Sequence, residues 1–362
     1  MQRRPTPKPQ HTDWPRRRDL PWNIVRLQPD FHGDDPANPQ ARIGPLAQHF
    51  LLSPQARTLS LRTIMRMDDA EAFGTFQTIR FADNGGEAFC PHCGVAKVYT
   101  LAETPVRWKC SGCRRKFSVT SGTLFHSRKL AIRDYLAVIA LFCNGVKGVA
   151  ALRMARDMNI NPKSAFVLLH KLREAMGSTL DDGELAGTVE VDGAFFGSRI
   201  RLENRKADRR QHRREDRQVV VVARERQGRA RVWIVPRETD AVPLIRQNVA
   251  AGSTVHADEA GAWNVLHGSY PMMRVTHSRE FKSDDGACTN QAESFFARLR
   301  RAEFGIHHRI SGRHLEAYAR ECAWRENNRR LSNGTHWNLI TGAALAHPKS
   351  ATWAGYWHRK VA

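Results

Sequence analysis

The chain has 362 residues, room for more than one buried core, and carries 57 Lys+Arg against 36 Asp+Glu, a formal net charge of +21 with a pI near 10.4. Such an excess predicts a polyanionic partner. No apolar run is long enough for a membrane-spanning helix, the basic N-terminus lacks the apolar core of a secretory signal, and seven cysteines is an odd number for a disulfide scaffold, so no membrane, a cytosolic setting and reduced or metal-bound thiols are expected.

Residues 1–44 are rich in proline and charge, and their scattered apolar side chains cannot offset the entropy of ordering. They read as a mobile basic arm. Between 45 and 87 the apolar positions Leu59, Leu61, Ile64, Met65, Ala72, Phe73, Phe76 and Ile79 recur with helical spacing, which predicts a helical lead-in. Residues 88–122 hold Cys90-Pro-His-Cys93 and Cys110-Ser-Gly-Cys113, separated by 16 residues, among strand-like pieces at Val98–Leu101 and Lys116–Val119. Two such knuckles bring four thiolates to one tetrahedral ion, so a closed, structural zinc site on a zinc ribbon is predicted, with His92 a loop residue. Lys97, Arg107, Lys109, Arg114, Arg115 and Lys116 surround the knuckles and predict phosphate contacts, while Cys143, Cys288 and Cys322 read as packing residues.

Residues 123–180 predict three helices, Ile132–Cys143, Val149–Met158 and Lys163–Met176, the last with Pro162 at its first position. The segment reads either as a helix-turn-helix, with Lys163, Ser164, His170, Lys171 and Arg173 contacting a groove or phosphates, or as a hairpin that only supports the next domain. Residues 187–330 predict strands Thr188–Val191, Gln218–Ala223, Ala230–Val235, Ser253–Ala257 and Met273–Thr276, with helices Asp240–Ala250, Glu259–Leu266, Asn290–Glu303 and Gly312–Asn328. Three strands followed by helix, strand, helix, strand, helix is the order of an RNase H-like core with a mixed sheet. The whole chain is then multidomain, α+β and α/β, with residues 331–362 a C-terminal tail.

In that topology the first and fourth strands are parallel neighbours, and Asp192 and Asp258, each closing a strand, emerge together at the carboxyl ends. Glu293 follows Asp258 after 34 residues, on a helix whose core face is Ala292, Phe295, Phe296, Leu299 and Ala302; Glu293 shares the opposite face with Asn290, Ala297, Arg300 and Arg301. Two carboxylates about 4 Å apart repel by roughly 4 kcal/mol at an effective dielectric of about 20, so a site of this kind needs divalent cations. Three hard oxygen donors suit two magnesium (or manganese) ions, with Arg300 and Arg301 offering charge to a phosphate. Glu190 competes as a ligand because it shares a strand side with Asp192; Glu259, Asp284 and Asp285 compete less, as helix-start and loop charges. His277, His307 and His308 are candidates for phosphate contact or for ordinary packing. Arg199–Arg217 holds nine Lys or Arg against four acids and predicts a loop that grips phosphate backbone.

At these residues the chain resembles the zinc-ribbon DDE transposases of bacterial insertion sequences, the group numbered fifteen-ninety-five. The resemblance runs from about Ala88 to Asn328. Its marks are the two cysteine pairs, Arg114 to Thr123, Val189-Glu-Val-Asp-Gly193, His277-Ser278, Thr289 to Phe296 and Arg325-Glu-Asn-Asn-Arg329. It implies cutting of double-stranded DNA at the ends of a mobile element and joining of the 3'-hydroxyls to target DNA, with structural zinc, catalytic magnesium, and Asp192, Asp258 and a third ligand. That third ligand is Glu293 with Arg300 seven residues later, or Asn290 one turn upstream. A homodimer or larger multimer on DNA, in the bacterial cytoplasm at the nucleoid, is implied as well. The chain departs from the group in having Gly193 where an acid usually follows the first aspartate, and His256-Ala257 before the second. Two other readings stand beside this one: a catalytically inactive, domesticated DNA-binding regulator, and a nuclease on the same fold that cuts without joining.

Overall fold

The computed structural model describes residues 50–103, 105–180, 183–196, 218–275 and 286–359. The basic arm, the Arg199–Arg217 segment, His277, Ser278, Asp284 and Asp285 lie outside them. Two helices lead in, α1 (Leu61–Arg66) and α2 (Asp69–Arg80). A capping box starts α2: Asp68 accepts from the Glu71 amide at 2.8 Å and Glu71 from the Asp68 amide at 3.0 Å, so two amides left over by the helix are satisfied at once. An antiparallel sheet follows, β1 (Val98–Leu101), β2 (Arg107–Cys110) and β3 (Lys116–Phe117), in the order β1-β2-β3.

Three helices come next, α3 (Ile132–Asn144), α4 (Ala151–Asp157) and α5 (Pro162–Ser178). Pro162 stands in the first turn of α5, where no intrahelical donor is lost, and the Asn161 side chain caps the Lys163 amide at 2.9 Å. A single core joins these helices to the ribbon: Ile64, Phe76, Phe81, Trp108, Phe117, Leu136, Ile139, Phe142, Met154 and Leu172 are all buried in it. Trp108 stacks on Phe117 at 5.6 Å and meets Phe81 edge-on at 5.9 Å, so the small ribbon gains from the helices the apolar burial it cannot supply alone.

The same core takes in Trp337, Ile340 and Leu345 of a helix over Asn333–Ala346, inside the segment read from sequence as a tail. Its apolar residues lie all round the helix, Leu339 and Ala346 on the side away from Trp337, so no apolar stripe marks it in the sequence; Ser332, which accepts from the Thr335 amide at 3.1 Å, is its N-terminal signal. A second difference concerns α5. Lys163 and Ser164 are exposed, but His170 and Arg173 are buried, and Lys171 donates to the Leu124 carbonyl at 2.8 Å. Three of the five residues expected to meet DNA are therefore taken up inside the protein. Helical periodicity places a basic side chain on a face; it does not reveal that an acid elsewhere will bury it.

The larger sheet consists of β4 (Thr188–Phe196), β5 (Gln218–Glu225), β6 (Ala230–Val235), β7 (Thr254–Asp258) and β8 (Met272–Val275), in the order β6-β5-β4-β7-β8. The first three are antiparallel neighbours, while β4/β7, the pair expected to be parallel, and β7/β8 are parallel. Both faces are covered. Val189, Val191, Val219, Val221, Val255 and Ala257 pack under α6 (Val242–Asn248) with Ile245, Trp263 and Leu266. Ala194, Phe196, Val220 and Val222 pack under α7 (Asn290–Ala302) and α8 (Gly312–Asn327), through Phe295, Phe296, Leu299, Leu315 and Ala319. This double burial explains why β5 reads as an unbroken apolar run rather than an alternating one. With α8 named, the Asn333–Ala346 helix is α9. Among the described residues no helix is long and apolar enough to cross a membrane.

Candidate active site and metal centre

The four predicted thiols converge. Cys90 and Cys113 sulfurs lie 3.6 Å apart and Cys93 and Cys110 sulfurs 3.5 Å apart, and all four fall within 4.8 Å of one another. A tetrahedron with zinc–sulfur bonds of about 2.3 Å has edges near 3.8 Å, so the donor set fits one zinc ion with no position left open. Cys90 Sγ also accepts from the His92 amide at 3.4 Å, whereas the His92 ring is exposed, as expected of a loop residue. Gly112 lets the second knuckle close: a Cβ there would stand 3.2 Å from Val95 Cγ2.

At the other centre the alternation of the strands decides which residues can meet. Val189 and Val191 of β4, with Val255 and Ala257 of β7, point into the α6 layer. Glu190, Asp192, His256 and Asp258 therefore project from the opposite face, towards α7. The parallel pairing of β4 with β7 ends at Val191–Ala257, and Asp192 and Asp258 are the next residues on the two strands. Asp192 does not close its strand, as the sequence reading had it. β4 runs on to Phe196 against β5, with Asp192 opposite Val222, and only its pairing with β7 stops there. A glycine after the aspartate hides the continuation, because glycine weakens the strand signal.

On α7, Phe295, Phe296 and Leu299 are buried, Asn290, Arg300 and Arg301 are exposed, and Glu293 is half-buried between the two faces, with Thr289 Oγ1 donating to its Oε1 at 3.4 Å. Burial pushes Asp192 up to about 7, reinforced by the negative charges of Asp258, Glu293 and Glu238 and opposed by the Gly193 amide, which donates to Asp192 Oδ1 at 2.7 Å. Three predicted acids thus share one electrostatic environment, and a fourth joins them. Glu238 comes from the turn between β6 and α6, and its own carboxyl is raised by burial and by Asp258. It stands against Gly193, where a Cβ would lie 2.8 Å from its Oε1.

Other candidates separate from the centre. Glu190 is fully buried and bonded to the first turn of α7, which removes it as a competing ligand. Glu259 is exposed. His307 lies against Tyr318 with ring centroids 4.5 Å apart, and burial together with Arg173 draws it down to about 4, so it belongs to the α8 packing rather than to a phosphate site; His308 is exposed with φ of +59°. Cys143 is buried as expected, whereas Cys288 has polar neighbours. Arg300 lies over the Phe196 ring at 4.9 Å, four residues beyond Asp192 on β4. Sequence reasoning missed Glu238, whose turn has no spacing relation to the acids, and Arg274 on β8, which feels the charge of Asp258 and donates to the Ala260 carbonyl at 2.8 Å.

Two family models match. Residues 184–327 match the ISXO2-like transposase domain and residues 67–116 the transposase zinc-ribbon domain, together more than half of the chain. The ribbon match begins within the helical lead-in, which agrees with the shared core of α2 and the ribbon. No curated protein matches the chain.

Proposed function

Since the chain belongs to the IS1595-type transposases with a zinc ribbon, we propose that it cuts the ends of its own mobile element and joins the freed 3'-hydroxyls to target DNA, with Asp192, Asp258 and Glu293 holding two divalent cations. The observation that carries this reading is the convergence of three acids: Asp192 and Asp258 directly follow the last β4/β7 pair, and Asp258 of β7 and Glu293 of α7 both act on Asp192 of β4 as like charges. Hard oxygen donors crowded together as like charges are the donor chemistry of a magnesium site. Glu293 is the third ligand in this reading, since it acts on Asp192 while Asn290 stands exposed at the start of α7.

When bound, a pair of such ions polarises the attacking oxygen and neutralises the leaving one across a phosphodiester. The chain itself supplies position and charge. Asp192 and Asp258 are set by the β4/β7 register and Glu293 by the packing of α7 on β4 and β5. Arg300, lying over the Phe196 ring, is exposed and offers N–H donors to a phosphate oxygen on the α7 side of the sheet, and exposed Arg301 extends the basic rim. The sheet is the RNase H-like core, the cysteine quartet holds structural zinc, and the working complex is a dimer or larger assembly on DNA in the cytosol at the nucleoid.

Full-length protein incubated with magnesium, target DNA and a supercoiled plasmid bearing the element's ends tests the reading. The wild type yields strand-transfer joints. Asp192→Asn or Asp258→Asn abolishes cleavage, by at least about 1,000-fold, while DNA retention in a gel shift is unchanged. Cleavage retained in either variant overturns the site; cleavage without joints in the wild type leaves a nuclease.

A further inference from the structure

Behind the three carboxylates lies a second polar cluster that the transfer chemistry does not use. Glu190, 0% exposed, sits two residues before Asp192 on the same face of β4. Its Oε2 accepts from the backbone amides of Gln291 and Ala292, at 2.8 and 3.2 Å, in the first turn of α7. Its Oε1 accepts from Arg226 Nε at 3.3 Å and faces Cys288 Sγ at 3.8 Å. Arg226 Nη2 reaches on to Cys288 Sγ at 2.8 Å and to His256 Nδ1 at 3.3 Å, and the Cys288 amide donates to the same His256 nitrogen at 3.2 Å. His256 pairs in register with Glu190 and stands two residues before Asp258.

Each proposed metal-holding residue therefore has a near neighbour in one connected network: Glu190 for Asp192, His256 for Asp258, and the amides of residues 291 and 292 for Glu293. The chemistry explains why the network forms. Amides in the first turn of a helix have no intrahelical acceptor, and the helix N-terminus favours negative charge. Thr289, the residue before α7, makes no side-chain cap, so a carboxylate from another element takes that place. A buried carboxylate in turn needs donors, and Glu190 meets a guanidinium and two amides. Because Arg226 and the Cys288 amide can only donate to it, His256 Nδ1 is the acceptor and the ring carries its proton on Nε2.

We infer that Glu190 is a positioning residue which, with Arg226, His256 and Cys288, clamps the first turn of α7 onto β4 and β7 and so fixes Glu293 against Asp192 and Asp258 for cation binding. The clamp rests on the assignment of those three acids as the metal-holding set. Glu190→Gln keeps the size but loses the charge, and its amide turns a donor towards partners that only donate.

Three measurements on the full-length protein test it: manganese binding without DNA, read from the electron paramagnetic resonance of free Mn²⁺; the magnesium concentration giving half-maximal plasmid cleavage; and the melting temperature. Glu190→Gln should weaken manganese binding and raise the magnesium requirement by roughly 10- to 100-fold, the usual effect of losing a group that orients a metal ligand, with DNA retention in EDTA unchanged. Glu190→Asp, which keeps the charge on a shorter arm, should recover part of the loss. His256→Ala removes the middle of the network with less disturbance to the core and should shift manganese binding in the same direction, which keeps the test decisive if Glu190→Gln does not fold. Wild-type manganese affinity and magnesium dependence in His256→Ala, and in Glu190→Gln if it folds, overturn the clamp. Asp192→Asn separates the two levels: if it still cleaves, the site assignment fails; if it is inactive while the clamp variants bind manganese normally, the clamp alone fails.

Discussion

Buried acids at the α8 interface and at the rim of the large sheet meet opposite fates. Glu321 pairs with Arg173 at 2.7 Å and with Arg325 at 2.9 Å, and Glu326 pairs with Arg224 at 2.7 Å, with Arg329 at 3.3 Å and with Arg298. Burial alone would push Glu321 up, but Arg173 and Arg325 outweigh it and bring the carboxyl down to about 2. Asp192 is also largely buried, yet the charged groups acting on it are acids, and it rises to about 7. Burial is common to both; the partner sets the sign. Where α8 fastens α5 to the sheet, the protein matches its own charge. At the rim it gathers acids of like charge around Asp192, which is what a cation-binding centre requires.

The sharpest way to break this contrast is to remove one charge from each region. Glu321→Gln leaves Arg173 with a buried, half-paired guanidinium and should cost about 3–5 kcal/mol in denaturant or thermal unfolding. Asp192→Asn takes a charge out of a crowd of like charges and should leave stability in EDTA unchanged or higher. A destabilised Asp192→Asn, or a Glu321→Gln as stable as wild type, would erase the distinction between the two kinds of acid.

Acidity gives a second, smaller test, and the signs run in opposite directions. Glu321 has a folded pKa of about 2 against an ordinary 4.5, so its contribution is present above 4.5 and is lost as pH falls towards 2. The stability gap between wild type and Glu321→Gln should therefore close over that window. Asp192 has a folded pKa near 7 against an ordinary 3.8, so between those values the unfolded chain gives up its proton first and the wild type loses stability as pH rises. In EDTA the advantage of Asp192→Asn should open between about pH 4 and 7. Parallel pH profiles for both variants would contradict the assignment.

What the sequence reveals follows from how local each determinant is. The cysteine knuckles are legible because two sulfurs three residues apart already lie near one ion, and the α7 faces because Phe295, Phe296 and Leu299 repeat at helical spacing. The β4/β7 neighbourhood follows from strand order. The sequence cannot distinguish the roles of Glu190 and Asp192: both are acids on one strand face, and only the seating of the α7 amides on Glu190 separates a clamp from a ligand. The roles of His170 and Arg173 were hidden for the same reason, since their partners lie on α8 and in the C-terminal segment. Glu321 takes Arg173, and the His170 ring stacks on Trp353 at 4.2 Å. The α9 helix, apolar all round, leaves no stripe to read.

The smallest predicted effect concerns the fourth acid at the rim. Gly193 lies opposite Val221 on β5, and a Cβ on it would stand 2.8 Å from Glu238 Oε1 and 3.0 Å from its Cγ. Gly193→Ala must therefore push Glu238 aside. The contact is mainly with the movable end of a side chain, so the cost should be about 1 kcal/mol, at the low end of the overpacking range. In a Glu238→Ala background the obstacle is gone, and alanine, which loses less entropy than glycine in a strand, should bring a gain of up to about 0.5–1 kcal/mol. The two substitutions should thus couple by at least about 1 kcal/mol in a double-mutant cycle read by unfolding. Additivity would mean that Glu238 does not rest on Gly193, and the rim would then hold three acids rather than four. Coupling would mean that the absence of a side chain at position 193 is what admits a carboxylate from the β6–α6 turn to the neighbourhood of Asp192.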